Sequence, residues 1–261
     1  MAREVRKDLV RMHQRGTGLG SSLSCVEILL SLYFEVMQIA DPTDPARDRF
    51  ILSKGHAASA LYAVLARRGF LDAALLPGYL TDGSVLTAHP SRGAVPGVEA
   101  STGSLGHGLA IGLGMALAAR RNDARYRVFV LLGDGELQEG AVWEAVSLAP
   151  ALGLDNLVAV IDANGLQGYG RVDDLSPRSS FVARLRAFGW QAEELDGHDI
   201  PALSARLAKV PFESGRPSAV VARTVKGRGV AEMEDTLGWH YFSVPAGRVE
   251  AFLSELDGGG R

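Results

Sequence analysis

The sequence lacks the features that would indicate an extracellular, membrane or nucleic-acid-binding protein. Its 261 residues include one cysteine, Cys25, which cannot form an intramolecular disulfide. No apolar run approaches the roughly 18 residues of a membrane span, and the segment Met1–Asp8 is too charged for a signal peptide. The formal net charge of −3 shows no basic excess. We therefore expect a cytoplasmic protein that binds neither membrane nor nucleic acid.

The apolar pattern predicts one α/β domain over residues 1–261, since no flexible linker and no internal repeat divides the chain. Cys25 lies in an apolar stretch and is expected to be a core residue. Helices are predicted over Glu4–His13, Ser24–Met37, Ala57–Arg68 and Ser104–Arg121, followed by strands near Tyr126, Leu157, Trp190 and Ser218 that alternate with helices near Ala141, Phe181 and Ile200. Such alternation predicts a doubly wound, mainly parallel sheet with helices on both faces.

Two of the predicted strands end in residues that suit a metal ion. Val128–Leu132 leads into Gly-Asp-Gly around Asp134, and Leu157–Ile161 ends shortly before Asn164. Both are continuous branched apolar runs, as in parallel strands buried on both faces, and ligands of such sheets bind beyond the carboxyl ends of the strands. A carboxylate and an amide supply oxygen ligands, which suit Mg²⁺ or Ca²⁺. Because Mg²⁺ is usually held by few carboxylates together with phosphate oxygens, we expect a diphosphate-bearing cofactor.

Each of the two residues also has a simpler interpretation. Asp134 could cap the helix that follows, because Asp is favoured at helix starts. Asn164 precedes Gly165 and could be a turn residue. Their pairing at two strand ends favours metal binding.

Five sequence blocks resemble transketolases, a family of thiamine-dependent enzymes. They are Ser53-Lys-Gly-His56, Ala88-His89-Pro90, Ser101-Thr-Gly-Ser-Leu-Gly106, Gly133-Asp-Gly-Glu-Leu-Gln-Glu-Gly140, and the strand that ends at Asn164. Their order and spacing fit the family from Val5 to about His240. The resemblance implies the thiamine-diphosphate-binding fold, thiamine diphosphate with Mg²⁺ (or Ca²⁺), and transfer of a two-carbon ketol unit from a ketose or ketose phosphate to an aldehyde acceptor.

The resemblance covers the first of the three domains of a full-length transketolase. It implies the N-terminal, diphosphate-binding subunit of a split transketolase, whose pyrimidine-binding domain is carried by a separate C-terminal subunit. In the family, the glutamate that activates the aminopyrimidine belongs to that second domain. We therefore expect activity only with the partner, in an assembly of two copies of each subunit.

The resemblance also assigns binding roles to individual residues. The side chains of Asp134 and Asn164 and the backbone carbonyl of Leu166 would ligate the metal ion. Gly135 would donate its backbone N–H to the diphosphate. The implied cofactor-binding set is His56, Gly103, Leu105, Gly133, Gly135, Asn164, Leu166 and His240.

Four residues carry catalytic roles by the same resemblance. His56 and His89 would line the channel to the cofactor, where histidine can exchange a proton near neutral pH. His240 matches a later active-site histidine, although Tyr241 follows it where the family has a small residue. Glu139 would communicate with the partner's glutamate across the domain interface. Alternatively, Glu139 is a solvated residue of a first helical turn, stabilised by the helix dipole.

One departure concerns Gly18, at which the family commonly has a histidine that helps to bind and protonate ketose intermediates. Its absence keeps open a related enzyme that uses a 2-oxo acid or a specialised donor or acceptor. A separate alternative is a non-catalytic, cofactor-binding assembly module. His107 replaces a frequent glutamine and is expected to be a tolerated change near the cofactor. His13 and His198 are expected to have structural roles.

Overall fold

The computed structural model describes residues 1–258 and confirms the predicted fold class. A parallel sheet of five strands occupies the centre of the molecule in the order β1-β2-β3-β7-β6, and β4 and β5 form a short antiparallel hairpin beside it. The strands are β1 (Arg49–Leu52), β2 (Val128–Gly133), β3 (Leu157–Ala163), β4 (Leu166–Gln167), β5 (Gly170–Arg171), β6 (Gln191–Asp196) and β7 (Ser218–Arg223).

Helices cover both faces of the sheet. They are α1 (Ala2–Met12), α2 (Leu19–Ser24), α3 (Val26–Leu30), α4 (Ala58–Arg68), α5 (His107–Arg121), α6 (Gly140–Ala151), α7 (Phe181–Ala187), α8 (Ile200–Leu207) and α9 (Val249–Asp257). Within residues 1–258, no helix combines the length and the hydropathy needed to cross a bilayer.

The core consists of two layers because side chains alternate along each strand. Phe129 and Leu131 of β2 point to one side, where α1–α4, α8 and α9 pack. Val128 and Val130 point to the other side, against α5, α6 and α7. Cys25 is fully buried in the first layer, as expected.

Two predictions of local structure were incomplete or wrong. The predicted helix over Ser24–Met37 is interrupted at Cys25 and continues from Ser31 to Val36 as a wider, π-type turn. At the interruption the Ser24 hydroxyl donates to Asp162 Oδ2 at 2.6 Å and also lies 3.0 Å from the Ser21 carbonyl oxygen, and side-chain contacts of this kind compete with regular helix geometry. Strand β1 was not predicted, because its four residues are too few for a periodic pattern.

The contact between α5 and β2 depends on a glycine. A Cβ at Gly112 would lie 2.5 Å from Val130 Cγ2, whereas a Cβ at Gly114, two residues along the same helix, would have no heavy atom within 4 Å. We expect Gly112→Ala to lower the free energy of unfolding by about 1–3 kcal/mol through overpacking. The control Gly114→Ala should raise it by up to about 1 kcal/mol, because alanine favours the helix. Urea denaturation of both variants measures the difference, and equal effects would contradict the packing shown by the structure.

Candidate functional site

A cavity of about 340 Å³ opens at the carboxyl ends of β2 and β3. Parallel α/β sheets place ligands at this edge, because neighbouring strands lead into loops there. The cavity is lined by Ser21, Lys54, His56, Leu105, Gly133, Asp134, Gly135, Glu136, Gln138, Glu139, Asn164, Leu166, Gln167, Gly168, Tyr169, His240 and Tyr241.

Asp134 follows β2 directly and is buried beside the loop that follows β3. Its Oδ1 accepts from Gly135 N at 2.9 Å, and its Oδ2 accepts from Gly165 N at 2.6 Å. Burial, together with the nearby charge of Asp162, raises the pKa of Asp134 to about 6. The carboxylate therefore lies in an environment that opposes its ionisation, and a bound cation would relieve that cost.

Asn164 follows β3 with a fixed amide orientation. Its Nδ2 donates to Asp162 Oδ2 at 3.3 Å, and its Oδ1 accepts from Leu166 N at 3.1 Å. Gly165 has a φ of 85°, which lets the chain turn sharply so that its N–H reaches Asp134. The turn interpretation of Asn164 and the capping interpretation of Asp134 are therefore both correct locally, and they are compatible with oxygens that face one cation.

A buried ion pair lies beneath these two residues. Lys54 Nζ pairs with Asp162 Oδ2 and also donates to the Ser21 carbonyl at 2.9 Å. Asp162 further accepts from Ser24 Oγ at 2.6 Å and from the Thr224 hydroxyl. Burial opposes both charges, but their mutual attraction raises the pKa of Lys54 and lowers that of Asp162. Asp162 is therefore ionised and holds the amide of Asn164 in place.

Two histidines, His56 and His240, also line the cavity, and the buried Lys226 contacts one of them. Lys226 Nζ lies 2.9 Å from Ser21 Oγ and 3.1 Å from His240 Nδ1. Burial, reinforced by the charge of Lys54, lowers the pKa of Lys226 to about 8. Burial and the charge of Lys226 lower the pKa of His240 to about 4. Near neutral pH a charged Lys226 thus donates to a neutral His240, whose proton must then reside on Nε2.

His56 lies beside His240, with 5.5 Å between the ring centroids. Burial and the charges of Lys54 and Lys226 hold the pKa of His56 well below its usual range. Both histidines are therefore neutral at pH 7. They offer hydrogen bonds to a ligand, while Lys54 and Lys226 supply the positive charge behind them.

Glu136 anchors the loops around the cavity mouth. Its carboxylate accepts from Gly106 N at 2.9 Å, from Gly133 N at 3.1 Å and from the Ser53 hydroxyl. These bonds join the end of β2 to the loop that precedes α5. Leu105, at the cavity, is thereby placed opposite the β2 end.

The structure brings most of the predicted residues together at this cavity. His56, Leu105, Gly133, Asp134, Gly135, Glu139, Asn164, Leu166 and His240 all line it. Gly103 and His89 lie to one side, where a Cβ at Gly103 would be 3.0 Å from His89 Cγ. His89, Glu139 and His107 are exposed, so each is accessible to a partner or a ligand.

Several residues of the site were not predicted to have a role there, among them Ser21, Lys54, Glu136, Asp162 and Lys226. Lys226 and Asp162 could have been found by applying the strand-end rule more widely, because β7 ends shortly before Lys226 and β3 contains Asp162. Glu136 stands within the Gly133–Gly140 block. The sequence shows no sign that its carboxylate turns inward to hold backbone N–H groups.

The residues present fit a divalent cation bound together with phosphate oxygens. Asp134, Asn164 and the Leu166 backbone offer oxygen donors, which suit Mg²⁺ or Ca²⁺. Throughout residues 1–258 no group of three or more His, Cys, Asp and Glu side chains is arranged to hold a metal. A cation at this site would therefore complete its coordination with oxygens of a bound ligand and water.

Gly18 lies against His56 and has a backbone suited to glycine. Its φ is 86°, and a Cβ there would lie 3.1 Å from the His56 carbonyl oxygen. A histidine at this position would adopt an unfavourable conformation. Both the backbone conformation and the close contact with His56 therefore favour glycine over any residue with a side chain at position 18.

Tyr241 connects two segments of the chain at the cavity. Its hydroxyl donates to the Gly168 carbonyl at 2.8 Å, which ties the segment after His240 to the β4–β5 hairpin. We expect Tyr241→Phe to speed amide exchange in residues 166–171 about two- to fivefold, because one partly exposed hydrogen bond is worth roughly 0.5–1 kcal/mol. The control is Tyr169→Phe, at a side chain that is 94% exposed. Hydrogen exchange followed by mass spectrometry measures both, and unchanged rates in Tyr241→Phe would refute the role of this bond.

Comparisons with known proteins agree with the geometry of the cavity. Residues 1–256 match the family described as transketolase, thiamine diphosphate binding domain. The chain is 37% identical to one subunit of the apulose-4-phosphate transketolase of Phocaeicola vulgatus, with 96% of this chain and 90% of that protein covered. It is 35% identical to the SqwG subunit of the 6-deoxy-6-sulfo-D-fructose transketolase of a Clostridium species, with 98% and 94% covered.

The fold is similar to that of a solved, longer enzyme. Transketolase from Leishmania mexicana superimposes with a TM-score of 0.85 at 30% identity, and the match covers 98% of this chain and 40% of that chain. Since the family match spans almost the whole sequence and the relatives exceed 30% identity over most of their length, this chain belongs to the transketolase family and corresponds to its thiamine-diphosphate-binding domain.

Proposed function

We propose that this chain is the diphosphate-binding subunit of a two-chain transketolase that transfers a two-carbon ketol unit from a ketose to an aldehyde. The observation that carries the proposal is the joining of Asp134 to the Asn164 turn at two neighbouring strand ends, in a cavity that His56 and His240 also line and that Lys226 adjoins through its contact with His240. Oxygen donors for a cation, in one cavity with two histidines and close to the charge of Lys226, fit a diphosphate and its cation.

Thiamine diphosphate, when bound, would supply the carbanion chemistry that amino acid side chains cannot provide. Asp134, Asn164 and the Leu166 carbonyl would hold Mg²⁺, and Gly135 N–H would bind a phosphate oxygen in place of its present bond to Asp134 Oδ1. His240 would present Nε2–H to an oxygen of the donor, because its Nδ1 accepts from Lys226. His56 would line the cavity beside His240. His89 and Glu139, whose side chains are exposed, would act at the outer surface of the site.

The exposed position of Glu139 at the cavity indicates where a second subunit would bind. The relatives that are named as transketolase subunits are covered over 90% or more of their length, so they are proteins of similar extent. We infer that a second, separate polypeptide closes the cavity from the side of Glu139 and supplies the pyrimidine-binding domain, with two copies of each chain in the assembly. All residues 1–261 would form the single diphosphate-binding domain, and the assembly would work in the cytoplasm.

Gly18 favours a specialised donor over the sugars of central metabolism. The two subunit relatives are named for ketoses that carry a phosphate or a sulfonate, so we propose an anionic ketose as the donor class. Because Gly18 has no side chain, the donor's surroundings would lack one imidazole, and the protein would depend on His56 and His240 instead.

Calorimetric titration with thiamine diphosphate and Mg²⁺ tests the proposal, first on this chain and then on the chain with its co-expressed partner subunit. Binding that requires Asp134 should be followed by ketol transfer from an anionic ketose or from hydroxypyruvate in the complex. Release of carbon dioxide from pyruvate would favour the 2-oxo acid alternative. Binding without turnover of any donor would favour an assembly module.

A further inference from the structure

His198 lies outside the cavity, yet both of its ring nitrogens are committed to hydrogen bonds. Val225 N donates to Nε2 at 2.9 Å, so Nε2 carries no proton. Nδ1 must then carry the proton of the neutral ring, and it donates to Glu27 Oε2 at 3.0 Å. The two contacts define one tautomer of His198 and leave no nitrogen free to exchange a proton with a substrate.

Glu27 is a fixed anchor for this histidine. Arg6 donates to both of its carboxylate oxygens, at 2.6 and 2.9 Å. Burial opposes ionisation of Glu27, but the bond from His198 and the charge of Arg6 outweigh it and lower the pKa to about 2. Arg6 Nε in turn donates to the Arg228 carbonyl at 2.8 Å. His198 is therefore hydrogen-bonded to an ion pair that joins Arg6 of α1 to Glu27 of α3.

Val225, which His198 contacts through Nε2, lies next to a residue that contacts the cavity wall. Val225 precedes Lys226, whose side chain is 1% exposed and contacts His240 Nδ1 at 3.1 Å. Gly227 N donates to the Gly20 carbonyl at 2.9 Å, which holds the segment on its far side. A displacement of about 1 Å at Val225 that carries Lys226 away from His240 would lengthen their 3.1 Å contact beyond hydrogen-bond range, unless the lysine side chain compensates for it.

We propose that His198 is a positioning residue that connects the Arg6–Glu27 pair to residues 224–226 and so keeps Lys226 bonded to His240 Nδ1. By this route His198 determines which nitrogen of His240 faces the cavity. Its consequence for ligand binding rests on the proposed function, because that function counts His240 among the residues that contact the cofactor and the donor. The placement of Lys226 itself can be tested without any cofactor.

The first test reads the tautomer of His240 by nitrogen NMR of the full chain labelled with ¹⁵N-histidine, with His240→Ala to assign the signals. Wild-type His240 should show a protonated Nε2 and an unprotonated Nδ1. His198→Ala and Lys226→Met should both convert it to a mixture of tautomers. His198→Leu, which fills the space without a ring nitrogen, replaces His198→Ala if the latter fails to fold. The control Glu194→Ala removes a charge from the same surface groove, where Glu194 pairs with Arg223, and should leave His240 unchanged.

The second test is a double-mutant cycle on binding of thiamine diphosphate with Mg²⁺ by the chain and its partner subunit. His198→Ala should weaken binding about tenfold in the wild-type background and have little effect in the Lys226→Met background, as coupled residues do. Equal losses in both backgrounds, or a His240 spectrum that Lys226→Met changes and His198→Ala does not, would overturn the proposal. If the wild-type complex binds no thiamine diphosphate, the proposed function fails, and the His240 spectrum alone decides the role of His198.

Discussion

Asp134→Asn is expected to lower the affinity for thiamine diphosphate with Mg²⁺ by at least about 100-fold, since even outer-shell partners of metal ligands are worth about 10- to 100-fold. The substitution keeps the size of the side chain and removes the charge that lies buried at the end of β2. Calorimetry measures the loss. Asp72→Asn, at a capping aspartate that accepts from Ala74 N on the surface, is the matched control and should bind normally.

The same carboxylate gives the affinity a pH dependence of defined sign. Because burial raises the pKa of Asp134 to about 6, a cation must displace a proton below that pH. Wild-type affinity should therefore fall by up to about tenfold for each pH unit below 6, as expected for one coupled proton. Asp134→Asn should lack this component. An identical pH profile in the two proteins would mean that Asp134 is not a ligand.

Lys54→Met is expected to destabilise the protein by about 3–5 kcal/mol, because it leaves the charge of Asp162 buried without its partner. Both members of this pair are almost completely buried. Urea denaturation measures the loss. The exposed pair Arg171–Asp235 provides the comparison, and Arg171→Met should cost no more than about 1 kcal/mol.

A second substitution separates the cost of the unpaired charge of Asp162 from the value of the hydrogen bonds that Asp162 accepts. Adding Asp162→Asn to Lys54→Met removes the orphaned charge, so the double variant should be more stable than Lys54→Met alone. If it is less stable, Asp162 stabilises the protein mainly through the hydrogen bonds that it accepts from Ser24 and Thr224. In either case, Asn164 loses the carboxylate that orients its amide, and cofactor affinity should fall in the double variant.

The sequence predicted those parts of the fold that repeat a simple pattern. β2 and β3 are continuous apolar runs, and a buried parallel strand has that composition. β1 has four residues, and the arginine that begins it conceals the pattern. The interruption at Cys25 depends on hydroxyl bonds made by Ser24 to a neighbouring carbonyl and to distant Asp162, and such bonds are not visible in a hydrophobic period.

The location of the candidate site could be predicted where a residue with a metal-binding side chain directly follows a predicted strand, as at Asp134 and Asn164. Lys54 and Lys226 were harder to predict, since lysine is ordinarily exposed and its burial depends on a partner from another part of the chain. Glu136 faces inward because three groups from separate loops converge on it. The placement of His89 beside the cavity reflects a long loop, whose path no local pattern describes.

The position of β1 in the sheet also determines when the chain can fold. Residues 49–52 pair with β2, in a register that joins Arg49 to Val128, so nearly half the polypeptide must be made before the first two strands can meet. At synthesis rates of about 5–20 residues per second, the apolar faces of α1–α4 remain exposed for several seconds before the sheet that covers them is complete. A nascent chain of this protein is consequently exposed to aggregation until β2 has left the ribosome, and binding by a chaperone during that interval would protect it.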